Sequence, residues 1–336
     1  MVTIISTDNA CSNAGGGGER VLWAAIRATQ IRYPSAFCVV YTGDHDADKA
    51  AIIRRVKDRF NIHLHPPTVS FVYLSKRHWV LSSSWPHFTL LGQSIGSLIL
   101  AWEALTILVP DVFIDTMGYA FTLALSKYLF PEVPTGAYVH YPTISTDMLG
   151  SLDEGGQGVN AGTGKGLRGN VKKSYWHLFA GLYGWVGSRV DVVMTNSSWT
   201  QAHIRSLWAA KRTGSKAEIS VVFPPVAVQE VTNAVEVSRE SEKRRGRYLL
   251  YIAQFRPEKN HQLILSAFAK FLSSYPSKGK KDKPKLILVG SVRNDDDSKF
   301  VYKLRLLANE LEIKDDVEFI LNASWPDILA LSLIHI

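Results

Sequence analysis

The sequence predicts an α/β protein of two domains, each a parallel sheet covered by helices. Three observations carry this. The chain is 336 residues long, enough for two ordinary domains that each bury a core. Short β-branched runs alternate with longer stretches of helical period. The alternation stops at a Pro-Pro pair and a charged run, then restarts. With 46% apolar and 20% charged residues the composition is that of a soluble globular protein. Two cysteines, Cys11 and Cys38, are too few for a disulfide framework and point to a reducing, cytosol-facing compartment. A net charge of +8 favours an anionic partner without choosing among nucleic acid, a membrane surface and a phosphorylated substrate.

In the first domain, residues 1–225, strands are expected at 2–5, 37–41, 69–73, 112–115, 136–140, 190–195 and 219–223. Helices fit between them, among others at 19–32, 46–60 and 199–208. Residues 1–12 lack a basic stretch followed by a long apolar run, so no signal peptide or membrane anchor is expected within them. The apolar segment 94–110 contains Glu103 and falls short of a comfortable bilayer span, so it reads as a buried or interfacial helix. Gly, Asp and Asn dominate 149–170, which reads as a mobile loop. Phe223-Pro224-Pro225 and the charged run 238–247 mark a boundary, with a charged linker over 226–247. The second domain, 248–336, is expected to hold strands at 248–253, 286–289 and 317–321 and helices at 262–271 and 298–312. A doubly wound domain normally has more than three strands, so this one reads as incomplete.

The first strand leads into Asn13-Ala14-Gly15-Gly16-Gly17-Gly18-Glu19-Arg20 and a helix. Consecutive glycines let backbone N–H groups approach a phosphate or sugar hydroxyl at a helix N-terminus. A dinucleotide fingerprint is not met, because Arg20 stands where its last Gly would be, and no Gly-Lys-Ser/Thr of a P-loop is present. A merely flexible turn is the weaker reading. In the second domain, Gln254-Phe255-Arg256-Pro257-Glu258-Lys259-Asn260 lies between a strand and a helix. There Arg256 and Lys259 suit a diphosphate, and a solvated charged turn is the equal alternative. Gly290-Ser291 fits a close approach or a plain turn.

His140, in Tyr138-Val139-His140-Tyr141-Pro142-Thr143, falls at the same sheet edge as the glycine loop, although a lone histidine is more often structural. Asn196-Ser197-Ser198-Trp199 reads as strand, N-cap and helix, and capping accounts for its serines. Lys165, Arg168, Lys172 and Lys173 precede an aromatic-rich run ending at Trp185. That run suits a membrane interface or a core helix with a solvated start. The basic clusters 239–247 and 278–285 read as linker and loop.

These motifs, in this order, resemble the retaining GT-B glycosyltransferases. More narrowly, 13–23, 138–149, 191–200 and 254–261 resemble the eukaryotic GDP-mannose-dependent α-1,2-mannosyltransferases of dolichol-linked oligosaccharide assembly, with a fungal flavour in the loops. The resemblance implies two Rossmann-like domains with parallel sheets, the second incomplete here. It implies transfer of α-1,2-linked mannose from GDP-mannose to a dolichol-diphosphate oligosaccharide at the cytosolic face of the endoplasmic reticulum, with donor bound between domains and no metal or cofactor. By residue, it implies that Arg256 and Lys259 hold the donor diphosphate, that His140 contacts the transferred sugar, that Gly15, Gly16, Gly17 and Gly18 line the cleft near donor and acceptor, and that Gly290 lies by the donor.

The chain departs from that pattern in three places. Cys11-Ser12-Asn13 carries an extra residue, the family's anchoring helix is missing, and its two-glutamate motif would fall beyond Leu331. The tail 331–336 reads as adapter-derived, with a short splice form as the alternative. A chain truncated at both ends is therefore expected to be inactive. Another GT-B glycolipid transferase and a non-enzymatic peripheral membrane or partner-binding fragment are the competing readings. Nucleic acid is not an expected partner, because the basic residues are scattered and no recognised module appears.

Overall fold

The computed structural model describes residues 2–5, 17–43, 45, 47–153, 155, 163–164, 166–209, 212, 214–226, 228–234, 238–243, 246–275, 283–292, 295–324, 327–328 and 330–331. Gly15, Gly16, Cys11 and most of the tail lie outside them. The chain divides into two compact units, Met1–Val226 and Ala227–Ile336.

Unit 1 is built on a seven-stranded sheet in the order β3-β2-β1-β4-β5-β6-β7. Its strands are β1 (Val2–Ile5), β2 (Cys38–Thr42), β3 (Val69–Tyr73), β4 (Val112–Asp115), β5 (Thr135–Val139), β6 (Val192–Thr195) and β7 (Ile219–Val221). Every neighbouring pair is parallel. Helices α1 (Gly17–Arg32), α2 (Lys49–Phe60), α3 (Thr89–Ile107), α4 (Ala120–Leu129), α5 (Thr146–Gly150), α6 (Gly166–Gly187) and α7 (Ser198–Trp208) supply the crossovers that parallel strands need. One core cluster joins Leu22, Ile26, Ile52, Val56 and Phe60 to Cys38, Val40 and Val69. The larger one packs Leu100, Phe121, Phe179, Tyr183 and Trp208 against Phe113, Ala137 and Val193.

Unit 2 holds α8 (Val228–Ala234), α9 (Arg239–Lys243), α10 (His261–Ser274) and α11 (Asp295–Glu310). Its parallel sheet runs β10-β9-β8, from β8 (Tyr248–Ile252), β9 (Lys285–Gly290) and β10 (Val317–Leu321). Phe255, Leu265, Phe268, Leu288 and Leu304 form its core.

Boundaries shift where caps decide them. The helix expected from residue 46 starts at Lys49, because Asp48 is its N-cap and accepts a 2.7 Å bond from Ala51 N–H. It ends on Asn61 in the left-handed region at φ 51°. The helix expected over 298–312 starts three residues earlier, with Asp295, Asp296 and Asp297 in its first turn, where negative charge suits the helix dipole. It stops before Glu312, whose φ is 57°. The helix expected from residue 19 begins at Gly17, so the last two glycines of the run form its first turn.

The expectation of a mobile loop over 149–170 needs correction at its two ends. Its start belongs to α5 and its end to α6, whose first residue Gly166 has φ +75°. A Cβ on Gly164 would lie 2.0 Å from Leu152 O, so a glycine taken as a sign of looseness permits a backbone contact. Residues 154, 156–162 and 165 fall outside the described set.

Candidate functional site

In a doubly wound sheet, ligands bind outside the carboxyl ends of the strands where the strand order reverses. In unit 1 that point lies between β1 and β4. Three described segments meet this edge: the N-terminus of α1, the turn after β4, and the residues after β5.

The turn after β4 is held by Asp115, which is fully buried. Its Oδ1 accepts from Met117 N–H at 3.0 Å, and Oδ2 accepts from Gly118 N–H at 2.8 Å and Tyr119 N–H at 2.5 Å. Burial pushes its carboxyl up to about 6, against the three N–H donors. Within that turn Gly118 has φ +94°, and a Cβ there would lie 3.7 Å from Tyr141 O.

His140 was expected to close a strand over 136–140, but β5 ends at Val139. The histidine therefore stands just beyond the sheet. Thr200 Oγ1 donates to its carbonyl at 3.3 Å, and its ring meets Tyr138 edge-on at 4.9 Å. Nε2 is buried without a hydrogen-bond partner among the described residues. A Cβ on Gly18 would lie 3.3 Å from that same Nε2. The glycine is what lets the α1 N-terminus and the imidazole approach each other, and the open space beside Gly17 extends the gap. Burial lowers the His140 pKa, so the ring is neutral near pH 7 and can donate or accept one hydrogen bond. Buried polar atoms normally have partners, so an unsatisfied one aimed at a helix N-terminus marks a place for a polar ligand.

Arg20, noted in the sequence only as a departure from a fingerprint, also has a buried Nε without a partner among the described residues. Its neighbour Glu19 accepts from Trp23 Nε1 at 3.2 Å. The Asn196-Ser197 segment behaves as a cap. Ser197 Oγ accepts from Thr200 N–H at 3.2 Å, and Asn196 Oδ1, 2.7 Å from Thr200 Oγ1, shares that hydroxyl's one proton with the His140 carbonyl.

In unit 2, Arg256 precedes a single 3-10 turn, Pro257–Lys259, which delivers the chain through left-handed Asn260 into α10. The turn is tied down by Tyr251 Oη donating to Lys259 O at 2.6 Å. Phe255 is buried and stacks on His261 at 5.0 Å. Arg256 Nη1 lies 3.5 Å from Glu258 Oε1, and Lys259 is exposed. A Cβ on Gly290 would lie 2.0 Å from Ala253 O, so contact between its own strands already requires that glycine. The structure thus brings Gly18 and His140 together, and sets Arg256 and Lys259 on one turn. No group of three or more His, Cys, Asp or Glu among the described residues could hold a metal.

Two family patterns match the chain: ALG11 mannosyltransferase N-terminus over residues 4–208 and Glycosyl transferases group 1 over 235–334. A Neurospora crassa protein described as GDP-Man:Man(3)GlcNAc(2)-PP-Dol alpha-1,2-mannosyltransferase is 68% identical, over 94% of this chain and 59% of its own length. Proteins of the same description from Mus musculus and Homo sapiens are 46% and 48% identical, over 97% and 94% of this chain and 65% and 63% of theirs. The chain thus spans about three fifths of the length of the curated relatives it matches. Among solved structures, Anabaena HepE in complex with UDP and glucose has a TM-score of 0.54 at 14% identity, covering 98% of this chain and 72% of that one. A trehalose-6-phosphate synthase from Burkholderia multivorans has a TM-score of 0.62 at 12% identity, covering 98% and 75%. At such identities these two report the fold, which is α/β of the GT-B type with parallel sheets in both units. With the first pattern covering well over half of its residues, the chain belongs to the ALG11 mannosyltransferase family.

Proposed function

We propose that this chain carries machinery of a GDP-mannose-dependent α-1,2-mannosyltransferase that extends a dolichol-diphosphate oligosaccharide at the cytosolic face of the endoplasmic reticulum. The observation that carries the reading is the buried Nε2 of His140, without a hydrogen-bond partner among the described residues, against the bare backbone of Gly18 at a helix N-terminus. In this reading His140 hydrogen-bonds the transferred mannose, and Gly15, Gly16, Gly17 and Gly18 supply backbone approach on the donor side. Arg256 and Lys259 hold the diphosphate, with Gly290 beside their turn. The C1–O bond to the diphosphate breaks, a C1–O bond to an acceptor hydroxyl forms on the same face, and that hydroxyl's proton passes to the departing phosphate. Arg256 and Lys259 act by stabilising the charge that develops on the leaving group. The names of the relatives support donor and acceptor alike.

A membrane surface is the proposed third partner. The apolar segment read over 94–110 as too short for a bilayer belongs to α3, which already starts at Thr89, so by length and composition the helix is long and apolar enough to cross one, although a large part of it is buried against the protein. Between α3, α4 and α6 lies an apolar cavity of about 370 Å³, lined by Leu91, Ile95, Phe121, Tyr128, Leu182 and Trp185. That cavity also favours the competing reading, a peripheral membrane fragment without catalysis.

Calorimetric titration with GDP-mannose separates the two, followed by transfer assays of the full-length protein with a lipid-linked acceptor. Arg256→Ala and Lys259→Ala are each expected to weaken donor binding by about tenfold, the scale of one charge-assisted hydrogen bond. His140→Ala is expected to keep donor binding within a few-fold and cut transfer by roughly 10²-fold. Unchanged donor affinity in both cation variants would sink the diphosphate assignment.

A further inference from the structure

Tyr141 and Trp199 are both large aromatics left about half exposed, at 54% and 44%. Their rings are stacked, with centroids 5.4 Å apart and planes 29° from parallel. Tyr141 directly follows His140, and Trp199 is the second residue of α7, one position before the Thr200 whose hydroxyl holds the His140 carbonyl. The pair therefore sits at the same strand edge as the candidate sugar contact. Isolated exposed aromatics are common on protein surfaces and need no explanation. This pair differs in being braced. His203, itself buried, meets Trp199 edge-on at 4.0 Å. Its Nδ1 shares a 2.5 Å hydrogen bond with Thr146 Oγ1, and its Nε2 lies 3.4 Å from Asp147 Oδ2. The indole is thus fixed from behind by a polar relay that reaches α5, while the Asp147 carboxylate stays 67% exposed.

From this geometry we infer that Tyr141 and Trp199 form a platform for the mannose-bearing end of the acceptor glycan, a subsite that rests on the mannosyltransferase reading. A pyranose ring has an apolar C–H face that packs on an aromatic surface and hydroxyl edges that need polar partners. The ring pair supplies the first, the apolar surface that lines small-ligand sites. An uncharged sugar suits the spot, since neither ring carries charge and His203 is already engaged. Bracing lowers the ordering cost of binding.

The test is saturation-transfer difference NMR of this chain with free α-linked mannotriose, alongside a separate calorimetric titration with GDP. Saturation of the sugar ring protons is expected for the unaltered chain. In Trp199→Ala and Tyr141→Ala trisaccharide affinity is expected to fall three- to tenfold with GDP affinity unchanged, the range of an aromatic contact. Trp199→Phe is expected to recover most of the binding, and it keeps the test sound if the alanine variant does not fold. Absence of trisaccharide contact in the unaltered chain, or equal affinity in the folded variants, overturns the platform. So does a loss of GDP affinity in place of sugar affinity, which would make the pair a nucleobase shelf. Failure of GDP to bind anywhere would instead count against the transferase reading and leave the sugar contact measurable by itself.

Discussion

At Asp191 four partners converge on one carboxylate. Lys216 Nζ and Lys127 Nζ lie 2.6 and 2.9 Å away, and Thr135 donates through N–H at 2.9 Å and through its hydroxyl at 3.1 Å. Burial opposes ionisation, but the lysines and Thr135 outweigh it and hold the carboxyl well below the usual aspartate range. With the folded pKa depressed, the stabilisation is complete above an unfolded aspartate pKa of about 4 and is lost as the pH falls below it. Asp191→Asn is expected to cost about 1–2 kcal/mol near neutral pH, discounted for the partly exposed lysines, and far less in acid. Urea unfolding of both proteins near pH 7 and near pH 3 checks this, and a pH-independent difference would contradict it. The sequence showed none of this network, because Thr135 stands 56 positions before Asp191 and Lys127 stands further still along the chain. The position of His140 was legible, since strand alternation places it at the carboxyl edge. That its Nε2 is buried and faces Gly18 was not, because burial of one atom depends on elements far apart in sequence.

Among the elements, strands were legible to within about two residues, because β-branched runs buried on both faces leave a continuous apolar signal. Helix starts were less so, since caps and first-turn charge decide them after periodicity has fallen silent, as at Asp48 and Asp295. Glycine was the least legible residue, because its meaning depends on what lies across from it. Gly164 and Gly181 show the contrast. A Cβ on Gly164 meets the Leu152 backbone at 2.0 Å, whereas one on Gly181, exposed in the middle of α6, meets nothing within 4 Å. Gly164→Ala is therefore expected to destabilise by about 1–3 kcal/mol, as overpacking against backbone does. Gly181→Ala is expected to stabilise by about 0.5–1 kcal/mol through helix propensity and a less free unfolded chain. Thermal melts of the two single variants decide it, and shifts of the same sign would mean that the glycines are equivalent.

At the scale of the molecule, two segments read separately in the sequence share one apolar face in unit 1. The run ending at Trp185 satisfies both readings given for it, since α6 buries Trp176, Phe179 and Tyr183 but exposes Leu178, Leu182 and Trp185. Helix α3, the other apolar segment, exposes Leu91, Ile95 and Trp102, and Tyr128 of α4 is 82% exposed. Cations accompany them: Arg189 lies over Trp185 at 5.1 Å and Lys172 over Trp176 at 4.8 Å. Apolar surface rimmed by such cations suits the headgroup boundary of an anionic bilayer, where each apolar side chain gains by burial and each basic one by attraction to the surface charge. The chain is accordingly expected to sediment with phosphatidylserine-containing vesicles at low salt and to be partly released as salt screens the cations. Replacing Leu178, Leu182 and Trp185 together by serine should lower the partition coefficient by about tenfold or more, because even partial burial of each is worth about 1 kcal/mol. Leu182 and Trp185 are only 37% and 47% exposed and line the apolar cavity, so the triple variant is expected to melt somewhat lower, and its vesicle binding is compared at a temperature where circular dichroism shows both proteins folded. Equal vesicle binding by the variant and the unaltered chain would show that charge alone holds the protein to the membrane. Binding that survives high salt but not the triple substitution would show the reverse, that the apolar face suffices and the +8 net charge serves some other partner.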